Sequence, residues 1–214
     1  MSVFNDLYDA ILVGDAGKAH TATQAALDAG IGPMDLIQRS MVPAMDEVGK
    51  LFEAEEYFVP ELMLAGRAMK GAMELLRPLM TASGQKLGRR VLIGTVMGDL
   101  HDIGKNIVAS MLEGSGFEVI DLGTDVSPGR FVAGVEEEKP HAVCMSALLT
   151  VTMPAMKLTI DALETAGLRT RVKVLIGGAP VTRQYAKEIG ADGYSENAGG
   201  AVRLLRNLLA EVPS

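Results

Sequence analysis

The spacing of hydrophobic positions along this chain changes near residue 80. Before it, apolar residues recur at steps of three, four and seven, which keeps them on one face of a helix. The pattern predicts helices over 2–13, 16–29, 33–53 and 58–80, with Gly14, Gly30 and the pair Gly32 and Pro33 at the breaks. Pro33 suits a first helical turn, where its missing N–H costs nothing. Four helices with short connections predict a small antiparallel bundle. A polar stretch without apolar periodicity, Thr81 to Gly88, reads as a linker.

Beyond the linker the pattern is strand then helix, repeated. Residues 90–96 form a continuous apolar run, as a strand covered on both faces requires. Helices are predicted at 105–112, 128–138, 154–167, 181–189 and 199–210, and further strands at 117–120, 142–146, 172–177 and 193–194. Five such units predict a doubly wound, Rossmann-like parallel sheet following an all-α part, with domains at 1–82 and 89–214. In that architecture a ligand sits beyond the carboxyl ends of the strands, where strand order reverses.

Composition narrows the function. The chain has 214 residues, 48% of them hydrophobic, so a core is assured. A net charge of −7, few aromatics and no tryptophan speak against nucleic-acid binding. No apolar run reaches the roughly 18–20 residues of a membrane span, and the first residues carry no basic and apolar signal pattern. One cysteine, Cys144, excludes an internal disulfide, and a cytoplasmic protein is expected. Of the 13 methionines, Met34, Met41, Met45, Met63, Met69, Met73 and Met80 fall in the helical half. Two readings stay open for them: flexible core filling, or an apolar surface that repacks against a ligand or partner.

The loop after the first strand carries the candidate chemistry. It holds Gly98, Asp99, His101, Asp102, Gly104, Lys105 and Asn106. A P-loop needs four residues between its glycines and Ser or Thr after the lysine; here there are five, and Asn106 follows. A dinucleotide fingerprint needs G-x-G-x-x-G, which is also absent. A metal-ligating histidine with an oriented partner remains: His101 would give one ring nitrogen to a metal and donate the other N–H to Asp99. Asp102 reads as the N-cap of the following helix. No Cys or His cluster completes a zinc centre, whereas a metal inside a macrocycle needs a single protein ligand. His141, His20 and Cys144 are read as structural.

Three motifs at three strand ends then carry a resemblance. Asp-x-His-x-x-Gly at Asp99, His101 and Gly104, Ser-x-Leu at Ser146 and Leu148, and Gly177 with Gly178 together resemble the cobalamin-binding module of methionine synthase and of the corrinoid methyl-carrier proteins. In the helical half, the stretches Val48–Phe52 and Glu56–Leu62 resemble the cap bundle of the same families. The resemblance covers nearly the whole chain. It implies a cobalamin or related corrinoid, as methylcobalamin, hydroxocobalamin or cob(I)alamin, bound with its own base displaced and His101 as cobalt ligand. Asp99 becomes the partner of His101, and Asp102 joins the cofactor-binding set. Ser146 and Thr150 line the space for the nucleotide tail, and Leu148 of the same motif joins the cofactor-binding set. Gly177, Gly178 and Ala198 lie near that tail, and Gly104 lets the helix start close to the ligand. Thr152 stands where the family can place a serine on the carboxylate. Gln38 stands where the methionine synthase cap has a glutamate, which puts that contact in doubt. Phe52 and Val59 match apolar positions over the upper face of the corrin.

The function so implied is that of a methyl carrier with no catalytic domain of its own, serving methylamine, methanol, betaine or methoxy-aromatic metabolism. Its partners would be a substrate-specific methyltransferase, a second methyltransferase of tetrahydrofolate or coenzyme M type, and a reductive activase. Two alternatives have less support. A cobalamin-dependent regulator needs an output segment that is not visible, and an adenosylcobalamin mutase subunit generally lacks a helical cap.

Overall fold

The computed structural model describes residues 3–82 and 89–210, so most of the expected linker, from residue 83, lies outside the described residues. The chain divides into two compact units, Met1–Gly88 with Ser110–Phe117, and Arg89–Ala109 with Glu118–Ser214.

The first unit is helical. Its elements are α1 (Val3–Leu12), α2 (Ala16–Asp28), α3 (Pro33–Leu36), α4 (Val42–Glu53) and α5 (Val59–Ala82). Asp15 caps α2 by accepting from Lys18 N–H at 2.9 Å, satisfying a donor the first turn leaves free. α2 packs on α1 and α5, and α1 on α4. The core is rich in methionine: Met41, Met45, Met69, Met73 and Met80 are buried, and Met63 is exposed.

The single helix expected over 33–53 is interrupted by a π-helical turn, Ile37–Met41. Val42 N–H bonds back to the carbonyl of Ile37 there. Pro43 supplies the reason: it has no N–H for the regular ladder and its ring crowds the preceding turn, so a wider turn forms upstream.

The second unit is the expected parallel sheet. It alternates β1 (Arg90–Thr95), α6 (Ile103–Gly114), β2 (Glu118–Asp121), α7 (Pro128–Glu138), β3 (Ala142–Ser146), α8 (Pro154–Thr165), β4 (Lys173–Gly177), α9 (Arg183–Ile189), β5 (Gly193–Tyr194) and α10 (Ala198–Ala210). The α6 helix is shared, since its residues from Ser110 on group with the helical unit. A short 3₁₀ turn at Arg169–Arg171, absent from the expectation, precedes β4. All strands are parallel, in the order β2-β1-β3-β4-β5. β1 is buried on both faces from Val91 on, which accounts for its unbroken apolar run. Leu92, Val143, Val174 and Ile176 of the sheet pack with Phe131 of α7 and Met156 and Ile160 of α8 in one core.

Candidate functional site

Strand order reverses between β1 and β3, so the connections leaving these two neighbours run to opposite sides and open a crevice at their carboxyl ends. Both loops at that edge converge on one carboxylate. Asp99 is fully buried, and a buried charge is tolerable only when its oxygens are satisfied. Its Oδ1 accepts from the His101 N–H at 3.0 Å and stands 2.8 Å from His101 Nδ1. Its Oδ2 accepts from the Leu148 N–H at 2.8 Å, the Leu149 N–H at 3.3 Å and the Thr152 hydroxyl at 2.7 Å.

Burial alone pushes the Asp99 carboxyl up, but these bonds from Leu148, Thr152 and His101 outweigh it and hold it well below the usual carboxylate range. An ionised Asp99 accepts only, so His101 Nδ1 donates to it, and Nε2 is the ring nitrogen turned away from Asp99. The His101 side chain is 51% exposed. The result is an imidazole oriented through Nδ1, with its second nitrogen placed to ligate a metal.

Among the described residues no group of three or more His, Cys, Asp and Glu could hold a metal ion. A metal at His101 must therefore bring its remaining ligands with it, as a macrocycle does. The surroundings suit a large apolar ring. Leu100, Ile103, Leu148, Leu149 and Val151 are exposed on the loops and helix start of this edge, Val151 at 80% and Leu100 at 74%. A Cβ on Gly104 would meet nothing within 4 Å, so the start of α6 is open to close approach. These residues fit a corrinoid.

The other expected site residues fall as follows. Ser146 ends β3 and pairs in register with Thr95 and Gly177. Thr150 is exposed in the loop after β3, and Ala198 is buried at the start of α10. Gly178 has a reason inside the protein itself: its φ is 124°, and a Cβ would lie 1.9 Å from the Ala147 carbonyl oxygen. The expected N-cap at Asp102 takes a different form. Its carbonyl accepts from Asn106 N–H at 2.7 Å, while its carboxylate accepts from the Asn106 side-chain amide at 3.1 Å. Gln38 is exposed in the π turn; in the helical unit Phe52 is half-buried and Val59 exposed.

Two further residues hold the loop. The Thr95 hydroxyl donates to the His101 carbonyl at 2.9 Å. Lys105 is buried, and its ammonium donates to Asp121 and, at 2.8 Å, to Asn106 Oδ1. A threonine inside an apolar strand and a lysine in a helix's first turn, opposed to the helix dipole, were the signals in the sequence.

His141 stays structural, at the amino end of β3. Its Nδ1 accepts from the Arg90 N–H at 3.1 Å, and burial, with Arg89 adding to it, pushes its pKa down. His20 is exposed on α2. Burial pushes the Cys144 thiol up to about 12, so it is inert packing.

The sequence matches the B12 binding domain family over residues 89–203 and again, through a second family of that description, over residues 3–77. It is 38% identical to a corrinoid protein of Desulfitobacterium hafniense over 214 residues, covering 99% of each chain. It is 43% identical to trimethylamine corrinoid protein 1 of Methanosarcina acetivorans over 204 residues, 94% of each. Among solved structures, it is similar to the methanol:cobalamin methyltransferase complex of Methanosarcina barkeri, with TM-score 0.87 and 31% identity over 99% of this chain and 81% of the other.

Proposed function

Because the chain belongs to the corrinoid proteins with B12-binding domains, we propose that it carries a corrinoid whose cobalt is ligated by His101, and that it relays methyl groups between methyltransferases. The observation behind this reading is the Asp99–His101 pair: a buried, fully satisfied carboxylate locking one imidazole nitrogen as donor and leaving the other as ligand. When bound, the corrinoid supplies a cobalt that accepts and releases methyl groups.

The chain's own residues do the rest. Asp99 orients the His101 ring by accepting from Nδ1, which presents Nε2 as the ligand. Thr152, Leu148 and Leu149 keep Asp99 ionised while it is buried. The exposed apolar side chains of this sheet edge would exclude water from a bound corrinoid. Ser146, Thr150, Gly177, Gly178 and Ala198 would hold the nucleotide tail, Asp102 and Leu148 would join the cofactor-binding set, and Gly104 would let α6 start close to the ligand. The helical unit, residues 1–82 in this reading, would serve as a movable cover between transfers, with Phe52 and Val59 among its apolar contacts. A substrate-specific methyltransferase would load the carrier, and a second of tetrahydrofolate or coenzyme M type would unload it. A reductive activase would restore it after oxidation, all in the cytoplasm.

Reconstitution with hydroxocobalamin tests the ligand. The wild-type spectrum should report histidine on cobalt, and His101→Ala should shift it; an unchanged spectrum would remove His101 as the cobalt ligand. For the carrier role, methyl transfer from candidate methyltransferases should stop without this protein, and undiminished turnover in its absence would defeat it.

A further inference from the structure

The turn after β2 grips the loop that presents His101. Asp125 lies in the left-handed backbone region at φ 54°, which favours glycine over a residue with a side chain. In that conformation it holds two neighbouring residues from both ends. Its Oδ1 accepts from the Gly98 N–H at 2.7 Å, and its own N–H donates to the Asp99 carbonyl at 3.0 Å. Gly98 is itself left-handed, at φ 83°, where the chain turns out of β1. The flanking residues extend the grip. Thr95 N–H donates to Gly123 O and Val126 N–H to Thr95 O, each at 2.9 Å, and Val126 forms a parallel bridge with Val96. Asp125 is exposed, so core packing does not account for an acid here.

We propose that Asp125 is a positioning residue for His101: it fixes the backbone of Gly98 and Asp99, and the Asp99 carboxylate in turn fixes the ring. Asp99 receives both the backbone N–H and the ring Nδ1 of His101 on one oxygen, so a small rotation of its backbone misplaces both together. The strain at Asp125 is then tied to the aim of the ligand rather than to the stability of the fold. This inference rests on His101 as the cobalt ligand, and extends it to a residue outside the loop.

Two substitutions separate the hydrogen bond from the backbone strain. Asp125→Gly adopts the left-handed conformation readily but has no acceptor for Gly98. Asp125→Asn tolerates the same conformation and keeps Oδ1. Two readouts are needed: ¹⁵N NMR of the histidine rings in the cofactor-free protein, and the visible spectrum after hydroxocobalamin loading at fixed pH. Wild type and Asp125→Asn should show His101 in a single Nδ1–H tautomer and the same histidine-ligated spectrum. Asp125→Gly should melt at or above the wild-type temperature, yet show mixed tautomers and at least a twofold drop in the ligated fraction. An Asp125→Gly protein unchanged in both readouts would overturn the proposal, as would an Asp125→Asn protein behaving like Asp125→Gly. If Asp125→Gly alters the tautomer while His101→Ala leaves the cobalamin spectrum unchanged, the ligand reading falls and the positioning role stands.

Discussion

Asp99 shows how one residue can tie together two distant loops. It bonds to Leu148 and Thr152, 49 and 53 positions away, and to His101 two positions away. The Thr152 hydroxyl has one proton and two acceptors within reach, Asp99 Oδ2 at 2.7 Å and the Leu149 carbonyl at 2.8 Å. The ionised carboxylate is the stronger acceptor. Thr152→Val keeps the shape and removes the donor, leaving a buried charge short of one bond. It should destabilise the protein by about 1.5–3 kcal/mol in urea unfolding, whereas Thr152→Ser should retain most of that stability. Asp99 and His101 were legible from spacing at a strand end. The five donors around Asp99 were only partly so, because backbone N–H groups of a loop leave no mark on residue identity.

At the level of elements, the strands and helices of the second unit were legible because short unbroken apolar runs, as in β1, differ from apolar residues spaced at 3.6. Helix α7 (Pro128–Glu138) falls where Ser127 and Pro128 announce it, the Ser127 hydroxyl accepting from Arg130 N–H. The π turn at 37–41 was missed, since hydrophobic spacing does not record how the ladder adjusts ahead of Pro43. That turn holds Ser40, which is fully buried with no partner for its hydroxyl among the described residues. A buried hydroxyl without a partner is a net cost, and Ser40→Ala removes it with little change of volume. Thermal unfolding of Ser40→Ala should show a gain of up to about 1 kcal/mol. A loss of that size would mean that Ser40 has a partner in solution.

For the whole molecule, membership of the corrinoid proteins follows from motifs spread over both halves of the chain, each placed at a strand end or in the bundle. No single motif would have sufficed, because a lone histidine is weak grounds for a metal. The reversal of strand order brings the loops of Asp99 and Thr152 to one edge, and the apolar residues beside them are exposed there. Their exposure could not be read from the sequence, since Leu100, Ile103 and Val151 have the same composition as core positions.

That greasy edge has a colloidal consequence. With Leu100, Ile103 and Val151 each at least 69% exposed, two cofactor-free molecules that meet can stick through it. The net charge of −7 keeps them apart at low ionic strength, where the Debye length is on the order of 30 Å at 0.01 M. At 1 M salt it shrinks to about 3 Å and the repulsion vanishes. Light scattering should therefore show the cofactor-free protein self-associating as salt rises, and corrinoid loading should abolish the effect. Equal scattering with and without the corrinoid would mean that loading leaves this edge uncovered. Where loading does cover it, protein made faster than its corrinoid faces a shelf-life problem before a catalytic one.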